Sequence, residues 1–358
     1  MKILITGNLG YVGCGVVKEF RANYPDAEIV GFDIGYFAKY ITSNRISPEA
    51  YLNAQYFGDV RQFPEHLLKG VDTVVSLAAI SNDPIGNKFE EVTLEINYRA
   101  AVEIARKAKK AGVKKYIFAS SCSVYGAAGD EARTENSPLN PLTAYARSKV
   151  YTENDLAELA DNDFQVTCHR FATACGMSER LRLDLVLNDF VACAITSGEI
   201  TILSDGTPWR PLINVLDMAR AIRWSHERTS LEGGNYLVVN TGSNEWNYMV
   251  KELAYKIQSF LPGIKVSINE HAQPDKRSYK VNFGLYEKLA PNHQPFFNLE
   301  DSIKDLINGL KGIDFQISNF RNSEFMRLNI VNQLSTDGYI DEKLNLVLLA
   351  RNEYALVP

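Results

Sequence analysis

Cysteine and histidine are scarce in this chain. Its 358 residues include five of each, the cysteine count is odd, and no two cysteines form a C-x-x-C pair. The histidines show no H-E-x-x-H or similar spacing. A disulfide framework uses cysteines in pairs, and zinc or catalytic-metal sites need ligand residues at short intervals. We therefore expect neither disulfides nor a bound metal.

Long apolar runs and an excess of positive charge are also lacking. The N-terminal sequence MKILITGNLGYVG holds only a short apolar run before its glycines, and no other run approaches the length of a membrane span. The formal net charge of −5 gives no global basic surface for nucleic acid or an anionic membrane. We expect a soluble, cytoplasmic chain that binds a small molecule, and local arginines could make that molecule an anion.

The first half of the chain alternates strand-like and helix-like segments. Strand patterns lie at 2–6, 28–33, 54–59, 71–79, 114–120 and 165–171, and helical patterns at 11–23, 90–111 and 141–161. This alternation predicts an α/β fold with a parallel sheet and helices on both faces.

The alternation breaks after residue 176, where turn-forming sequences become frequent. We expect a first domain at 1–175, to which 211–242 returns with a last strand at 236–242. The remaining segments, 176–210 and 243–358, predict a smaller α/β lobe that binds the substrate. The tail at 311–358 has helical stretches, and its role is open.

A glycine motif follows the first strand and opens the first helix. Gly7, Gly10 and Gly13 form G-x-x-G-x-x-G, and Asp33 ends the second strand twenty residues later. Glycines let the backbone approach a pyrophosphate at the helix N-terminus, and a carboxylate at the second strand accepts hydrogen bonds from the adenosine ribose. It also repels a 2′-phosphate, so we expect NAD rather than NADP.

Tyr145 and Lys149 stand four residues apart in YARSK, on one face of the helix predicted at 141–161. A lysine cation stabilises a tyrosine phenolate, and the pair can then take a proton from a hydroxyl while a hydride leaves its carbon. Ser121 follows the strand predicted at 114–120, at the sheet edge where α/β enzymes place ligands. It could hydrogen-bond the reacting oxygen.

These motifs occur together in an informative order. TGNLGYVG, Asp33, SLAA, Asn97, SSCSVYG and YARSK follow the order and spacing of extended short-chain dehydrogenases/reductases. Over about residues 1–240 the chain resembles the NAD-dependent epimerase/dehydratase family, whose best-known member is UDP-glucose 4-epimerase. The resemblance implies a Rossmann-type doubly wound sheet with a C-terminal substrate lobe, bound NAD and usually a homodimer joined through the two long helices. It also implies that Ser121, Tyr145 and Lys149 form the catalytic set.

The glycine loop, the strand ends and this resemblance together predict the cofactor contacts. They are Gly7, Leu9, Gly10, Tyr11, Val12, Asp33, Asp59, Val60, Leu77, Ala78, Ala79, Asn97, Ser120, Tyr145, Lys149 and Phe171.

Substrate contacts are predicted from the same resemblance. Arg210 and Arg277 match arginines that contact a nucleoside diphosphate, and Asn188 resembles an asparagine with the same role. The chain departs from the family at Thr173, where an asparagine is common, and at 211–212, where Pro-Leu follows the arginine. These departures leave the sugar and the base open. Further predicted contacts are Ser81, Asn82, Ser121 and Ser123.

Cys122 and Ser123 follow the predicted catalytic serine. Sugar 4,6-dehydratases resemble this region but carry Asp-Glu at these two places, so a dehydratase is disfavoured. Cys122 could act as an acid or base if its thiol pKa were lowered. A cysteine here is more often a small buried residue.

The leading hypothesis is an epimerase that oxidises a sugar C4 hydroxyl with bound NAD and returns the hydride to the other face of the 4-keto intermediate. Alternatives are a 4-dehydrogenase or 4-ketosugar reductase, a 4,6-dehydratase, and an epimerase that inverts C3 or C5 through an enolate. A non-catalytic NAD sensor of the same fold is the non-enzymatic alternative. Such relatives usually lose the catalytic tyrosine or lysine, and this chain keeps both.

Overall fold

The computed structural model describes residues 1–42, 46–81, 83–269, 271–272 and 277–347. Its strands, numbered along the chain, are β1 (Lys2–Thr6), β2 (Glu28–Asp33), β3 (Ala54–Phe57), β4 (Thr73–Ser76), β5 (Lys115–Ser121), β6 (Gln165–Phe171), β7 (Thr173–Cys175), β8 (Glu199–Ile202), β9 (Trp209–Asn214), β10 (Tyr236–Thr241), β11 (Asn247–Met249) and β12 (Lys265–Ile268). A seven-stranded parallel sheet in the order β3-β2-β1-β4-β5-β6-β10 forms the centre.

The helices complete the layers around this sheet. They are α1 (Tyr11–Asn23), α2 (Asp83–Lys88), α3 (Glu90–Leu94), α4 (Ala101–Lys110), α5 (Ala144–Leu159), α6 (Val186–Ser197), α7 (Val215–Glu227), α8 (Val250–Phe260), α9 (Gly284–Leu289), α10 (Leu299–Gly312) and α11 (Arg327–Thr336). In the described part of the chain, no helix has the length and apolar character that a membrane span needs.

Side chains of β1 show how both faces of the sheet are covered. Successive strand residues point to opposite faces. Ile3 and Ile5 pack in one core with α1 and α7, whereas Leu4 packs in another with α4 and α5. The predicted α/β fold, a doubly wound parallel sheet with helices on both faces, is therefore confirmed.

Segments after residue 172, apart from α7 and β10, build most of a second lobe. Its core joins α6, α8 and α10, beside a three-stranded sheet β11-β9-β7 and the pair β12-β8. Within the predicted return at 211–242, α7 packs on α1 and β10 extends the central sheet. Residues 211–214 instead belong to β9, in the three-stranded sheet.

The helix predicted at 90–111 is interrupted. A π-helical stretch at Glu95–Ala100 separates α3 from α4. Within it, the Asn97 amide binds the backbone of Ile80, accepting from its N–H at 2.7 Å and donating to its carbonyl at 2.9 Å. The wider π turn holds this side chain against the loop after β4, as π turns often do near functional sites.

Candidate active site

A cavity of about 910 Å³ lies at the carboxyl ends of the central strands. The strand order reverses between β1 and β4, and in open α/β sheets ligands bind at such a reversal. The glycine loop, the ends of β2, β4 and β5, and α5 form one side of the cavity, and the second lobe forms the other.

The glycine loop has no room for side chains. Gly7 has φ +77°, and a Cβ there would lie 2.5 Å from the Ala78 nitrogen. A Cβ on Gly13 would lie 2.5 Å from the carbonyl oxygens of Gly7 and Asn8. The N-cap of α1, Gly10, provides no side-chain cap, so the first N–H groups of the helix are left for a ligand. This cradle fits the pyrophosphate of NAD.

Asp33 lies in the same wall. Its carboxylate accepts hydrogen bonds from the backbone N–H groups of Gly35 at 2.7 Å and Leu9 at 3.2 Å. Burial raises the pKa of Asp33, while these N–H groups oppose the rise. Two fixed donors orient the carboxylate, which suits the predicted contact with the adenosine ribose.

Asp59 also lines the cavity, but its carboxylate is engaged. Arg61 binds it through Nε at 2.9 Å and Nη2 at 2.5 Å. The cofactor contact predicted at Asp59 would therefore be made by a carboxylate already paired with an arginine.

The predicted catalytic residues come together in the structure. Thr143 caps the N-terminus of α5, which places Tyr145 in its first turn and Lys149 one turn later. The Lys149 Nζ lies 5.2 Å from the centre of the Tyr145 ring and donates a hydrogen bond to the Ala119 carbonyl at 2.7 Å. Ser121, at the end of β5, hydrogen-bonds the Tyr145 side chain.

Burial sets the charge of this pair. It raises the pKa of Tyr145 to about 12, and the Ser121 hydrogen bond opposes that rise. It lowers the pKa of Lys149 to about 7, with Glu153 opposing. Without a ligand, burial thus favours the neutral form of both side chains.

A buried ion pair lies behind Lys149, and sequence reasoning missed it. The Glu153 carboxylate accepts hydrogen bonds from Ser120 Oγ at 2.5 Å and from Arg170 Nη2 at 2.7 Å. Glu153 stands four residues after Lys149, the same spacing that links Lys149 to Tyr145. This spacing predicts that Glu153 lies on the same face of α5 as Lys149, and it could have pointed to the carboxylate.

Most predicted cofactor contacts do line the cavity, namely Gly7, Gly10, Tyr11, Val12, Asp33, Asp59, Val60, Leu77, Ala78, Ala79, Ser120, Tyr145, Lys149 and Phe171. Two predicted contacts do not reach it with their side chains. Leu9 is buried, and its backbone N–H donates to Asp33. The Asn97 amide hydrogen-bonds the backbone of Ile80.

Most of the predicted substrate contacts also line the cavity. Ser81, Ser121, Ser123, Thr173, Arg210 and Arg277 line the cavity. Arg210 donates to the carbonyl of Arg277, and Arg277 pairs with Asp83 across the cavity. The buried Ser123 Oγ has no hydrogen-bond partner within the described residues, which suits a ligand hydroxyl. Asn82 lies outside the described residues.

Two more predicted residues, one substrate contact and one candidate acid or base, do not line the cavity. Asn188 is fully buried, and its amide binds the Gly176 N–H at 3.0 Å and the Arg182 carbonyl at 2.9 Å, so it supports the lobe rather than a ligand. Cys122 is buried, donates to the Arg170 carbonyl, and has its thiol pKa raised by burial. A buried thiol that stays protonated is not the acid or base that we considered for Cys122.

The structure adds cavity residues that carry no recognisable motif. Arg182 is buried, holds Asp184 at 2.8 Å, and donates to Ser81 Oγ at 2.8 Å. Arg327, far along the chain, is buried in the same wall. Neither belongs to a motif that points to a ligand, so only the folded structure shows their position.

The chain is similar to known proteins over most of its length. A family model described as "NAD dependent epimerase/dehydratase family" matches residues 3–240. A putative UDP-glucose 4-epimerase from Methanocaldococcus jannaschii is 24% identical over 325 residues, which cover 86% of this chain and 98% of that protein.

Two solved structures share the fold. The NAD-dependent NDP-hexosamine 5,6-dehydratase TunA matches with a TM-score of 0.74 at 24% identity, covering 87% of this chain and 98% of TunA. MoeE5, solved in complex with UDP-glucose and NAD, matches with a TM-score of 0.72 at 23% identity, covering 87% and 99%.

Proposed function

The chain belongs to the NAD dependent epimerase/dehydratase family of enzymes, and we propose from that premise that it inverts C4 of a sugar carried by a nucleoside diphosphate. NAD is its cofactor. The observation that carries the proposal is the Ser121–Tyr145–Lys149 set in one cavity wall, without a carboxylate at 122 or 123.

Proton movement is assigned to Tyr145. Bound NAD would supply a hydride acceptor that later returns the hydride. Tyr145 takes the proton of the C4 hydroxyl as the C4 hydrogen leaves, and gives it back when the 4-keto sugar is reduced on its other face. Ser121 holds the reacting oxygen against Tyr145. The cation of Lys149 stabilises the phenolate, which offsets the high pKa that burial imposes on Tyr145.

Recognition of the diphosphate is assigned to Arg210 and Arg277. Both line the cavity, and a guanidinium matches phosphate oxygens with paired donors. The Arg277–Asp83 pair would open as phosphate replaces the carboxylate. Ser123 and Thr173 also line the cavity, and we assign them to the sugar. Their neutral hydroxyl groups suit a neutral, hydroxylated sugar ring.

A second candidate follows from Asp83. This carboxylate lines the cavity, its charge acts on Tyr145, and its Oδ1 is buried without a hydrogen-bond partner within the described residues. A carboxylate beside the reacting sugar could remove a proton from C3 or C5 next to the 4-keto group. The alternative activity is therefore C3 or C5 epimerisation through an enolate.

A homodimer through the 90–111 segment and α5 remains part of the proposal. Tyr151 on α5 is 42% exposed, and its ring lies 5.5 Å from that of Tyr98 on the neighbouring segment. Such an aromatic pair suits an interface. Sedimentation analysis of the wild-type chain and a Tyr151→Glu variant tests it, and a monomeric wild type would contradict it.

The activity is tested with purified protein, NAD and a panel of UDP-, GDP-, CDP- and dTDP-sugars in D₂O, followed by NMR. The proposal expects a C4 epimer without deuterium at carbon. Deuterium at C3 or C5 would favour the enolate candidate. Net consumption of NAD or NADH would indicate a dehydrogenase or reductase, and loss of water a dehydratase. No conversion across the panel, with the Tyr145→Phe variant as the matched blank, would overturn the proposed function.

A further inference from the structure

Residues 313–347, here called the C-terminal cap, fold back onto the cofactor side of the cavity. The cap includes α11, and Val331, Ile340 and Leu344 pack in one apolar cluster with Ile85 and Val92. Leu328, Val331 and Leu344 also line the cavity. The cap therefore closes a wall that the central sheet alone leaves open.

Polar contacts fix the end of the cap to the loops beside Asp33 and Asp59. The Tyr36 hydroxyl donates to the Leu344 carbonyl. Arg61 donates to the carbonyls of Lys343 at 2.8 Å and Leu344 at 3.1 Å while it holds Asp59. Tyr36 and Asp59 both line the cavity at its Asp33 end, so the cap is tied to the part of the site that suits adenosine.

Arg327, the first residue of α11, lies where the cap meets the cavity. Its side chain is 4% exposed, and its guanidinium carbon lies 4.2 Å from the centre of the Phe37 ring. One nitrogen donates to the Arg180 carbonyl at 3.0 Å. Within the part of the chain that the structure describes, Arg327 forms no ion pair, whereas its neighbours Arg180 and Arg182 pair with Glu49 and Asp184.

A buried cation without a carboxylate partner is costly, because the protein does not replace the water that it loses. Burial and then the charge of Arg182 lower the pKa of Arg327 to about 9, although the charge of Asp184, which pairs with Arg182, opposes this fall. Arg327 is also among the charges that oppose the rise in the pKa of Asp33, and both residues line the cavity. The N-terminal turn of α11, whose N-cap Met326 gives no side-chain cap, lies in the same wall and adds a positive dipole.

We propose that the guanidinium of Arg327 binds the pyrophosphate of NAD opposite the glycine loop. Its contact with the Phe37 ring, on the loop that follows Asp33, assigns it to the cofactor rather than to the diphosphate of the sugar. The cap then holds the cofactor from the side away from the sheet, and an anion completes the coordination of the buried arginine. This assignment rests on NAD as the cofactor and is independent of which sugar reaction the enzyme performs.

The test uses the full chain, freed of nucleotide, in three variants. Arg327→Met removes the charge with little loss of volume, Arg327→Lys keeps it, and Arg106→Met is the matched control because Arg106 is exposed on α4. Titration calorimetry with NAD, NADP, ADP-ribose, adenosine and UDP measures binding directly, so sugar turnover is not needed.

The expected result is a loss of about 10- to 100-fold in affinity for NAD and ADP-ribose with Arg327→Met, as the removal of one charge-assisted hydrogen bond implies. Arg327→Lys should lose less, and the affinities for adenosine and UDP should not change. Unchanged NAD affinity, an equal loss for adenosine, or a loss for UDP alone would each overturn the proposal. A loss confined to NADP would overturn it as well, because it would assign Arg327 to a 2′-phosphate.

Thermal unfolding separates a ligand-binding arginine from a structural one. If Arg327 binds the cofactor, Arg327→Met should leave the melting temperature of the nucleotide-free protein unchanged or higher, and should reduce the increase that NAD produces. A fall in the nucleotide-free melting temperature with an unchanged increment from NAD would contradict the proposal.

Discussion

Lys149 should destabilise the nucleotide-free protein, and the Lys149→Met variant measures by how much. Burial lowers the pKa of Lys149 from 10.5 to about 7. The unfolded chain therefore binds more protons than the folded one between these values, and the stability contributed at this site rises with pH. The destabilisation by Lys149 is complete below about pH 7. It disappears as the pH approaches the pKa that this lysine has in the unfolded chain.

The size of this destabilisation follows from the change in the pKa of Lys149 on folding. At 1.36 kcal/mol per pKa unit, burying Lys149 costs about 5 kcal/mol at pH 6, where it is buried with its charge, and about 2 kcal/mol at pH 9, where it must first lose its proton. Methionine has no charge and similar length, so it removes this dependence. The variant also loses the hydrogen bond to the Ala119 carbonyl, which changes the stability by the same amount at both pH values. The stability difference between variant and wild type should therefore shrink by about 3 kcal/mol from pH 6 to pH 9.

Urea unfolding of both proteins without nucleotide at pH 6 and pH 9, followed by tryptophan fluorescence, gives the two differences. The matched control is Lys107→Met, which removes a partly exposed lysine from α4. If the stability difference for Lys149→Met does not change with pH, burial does not lower the pKa of Lys149. Catalytic activity of Lys149→Met should be lost all the same, since the phenolate then lacks its cation.

Three further changes test separate parts of the site. Tyr145→Phe should lower kcat by about 10²- to 10⁴-fold with little change in sugar binding, measured by steady-state kinetics and calorimetry; retained activity would exclude Tyr145 as the base. Gly7→Ala should abolish NAD binding and lower stability by about 1–3 kcal/mol, because the backbone has φ +77° and a Cβ would lie 2.5 Å from Ala78; wild-type affinity would contradict the tight loop. Ser123→Ala should leave stability within about 1 kcal/mol and weaken sugar binding by about 3- to 10-fold, because its buried hydroxyl has no partner within the described residues; unchanged affinity would exclude a ligand contact.

The parts of the site that sequence predicts best are local. Gly7, Gly10 and Gly13 act through backbone geometry within one loop, and the helix predicted at 11–23 has the bounds of α1. Tyr145 and Lys149 share a face because the helical period fixes their spacing. Asp33 follows from the length of one strand–helix–strand unit.

The parts that sequence does not reveal depend on distant contacts. Asn188 carries a suitable amide, but Gly176 and Arg182 use it in the interior. Cys122 follows a catalytic residue in sequence, yet the 3₁₀ turn after β5 directs it into the core. Arg327 enters the site only because the cap returns to the Phe37 loop, which no local pattern encodes.

The central claim is that C4 of a nucleotide sugar is oxidised and reduced again within one binding event. It is tested most directly with a nucleotide sugar deuterated at C4, incubated in ordinary water with enzyme and no added NADH. We expect a C4 epimer that retains the deuterium at C4, since the hydride returns to the carbon that it left. Loss of the label from C4 in the product, or an unlabelled epimer formed only when NADH is added, would contradict it.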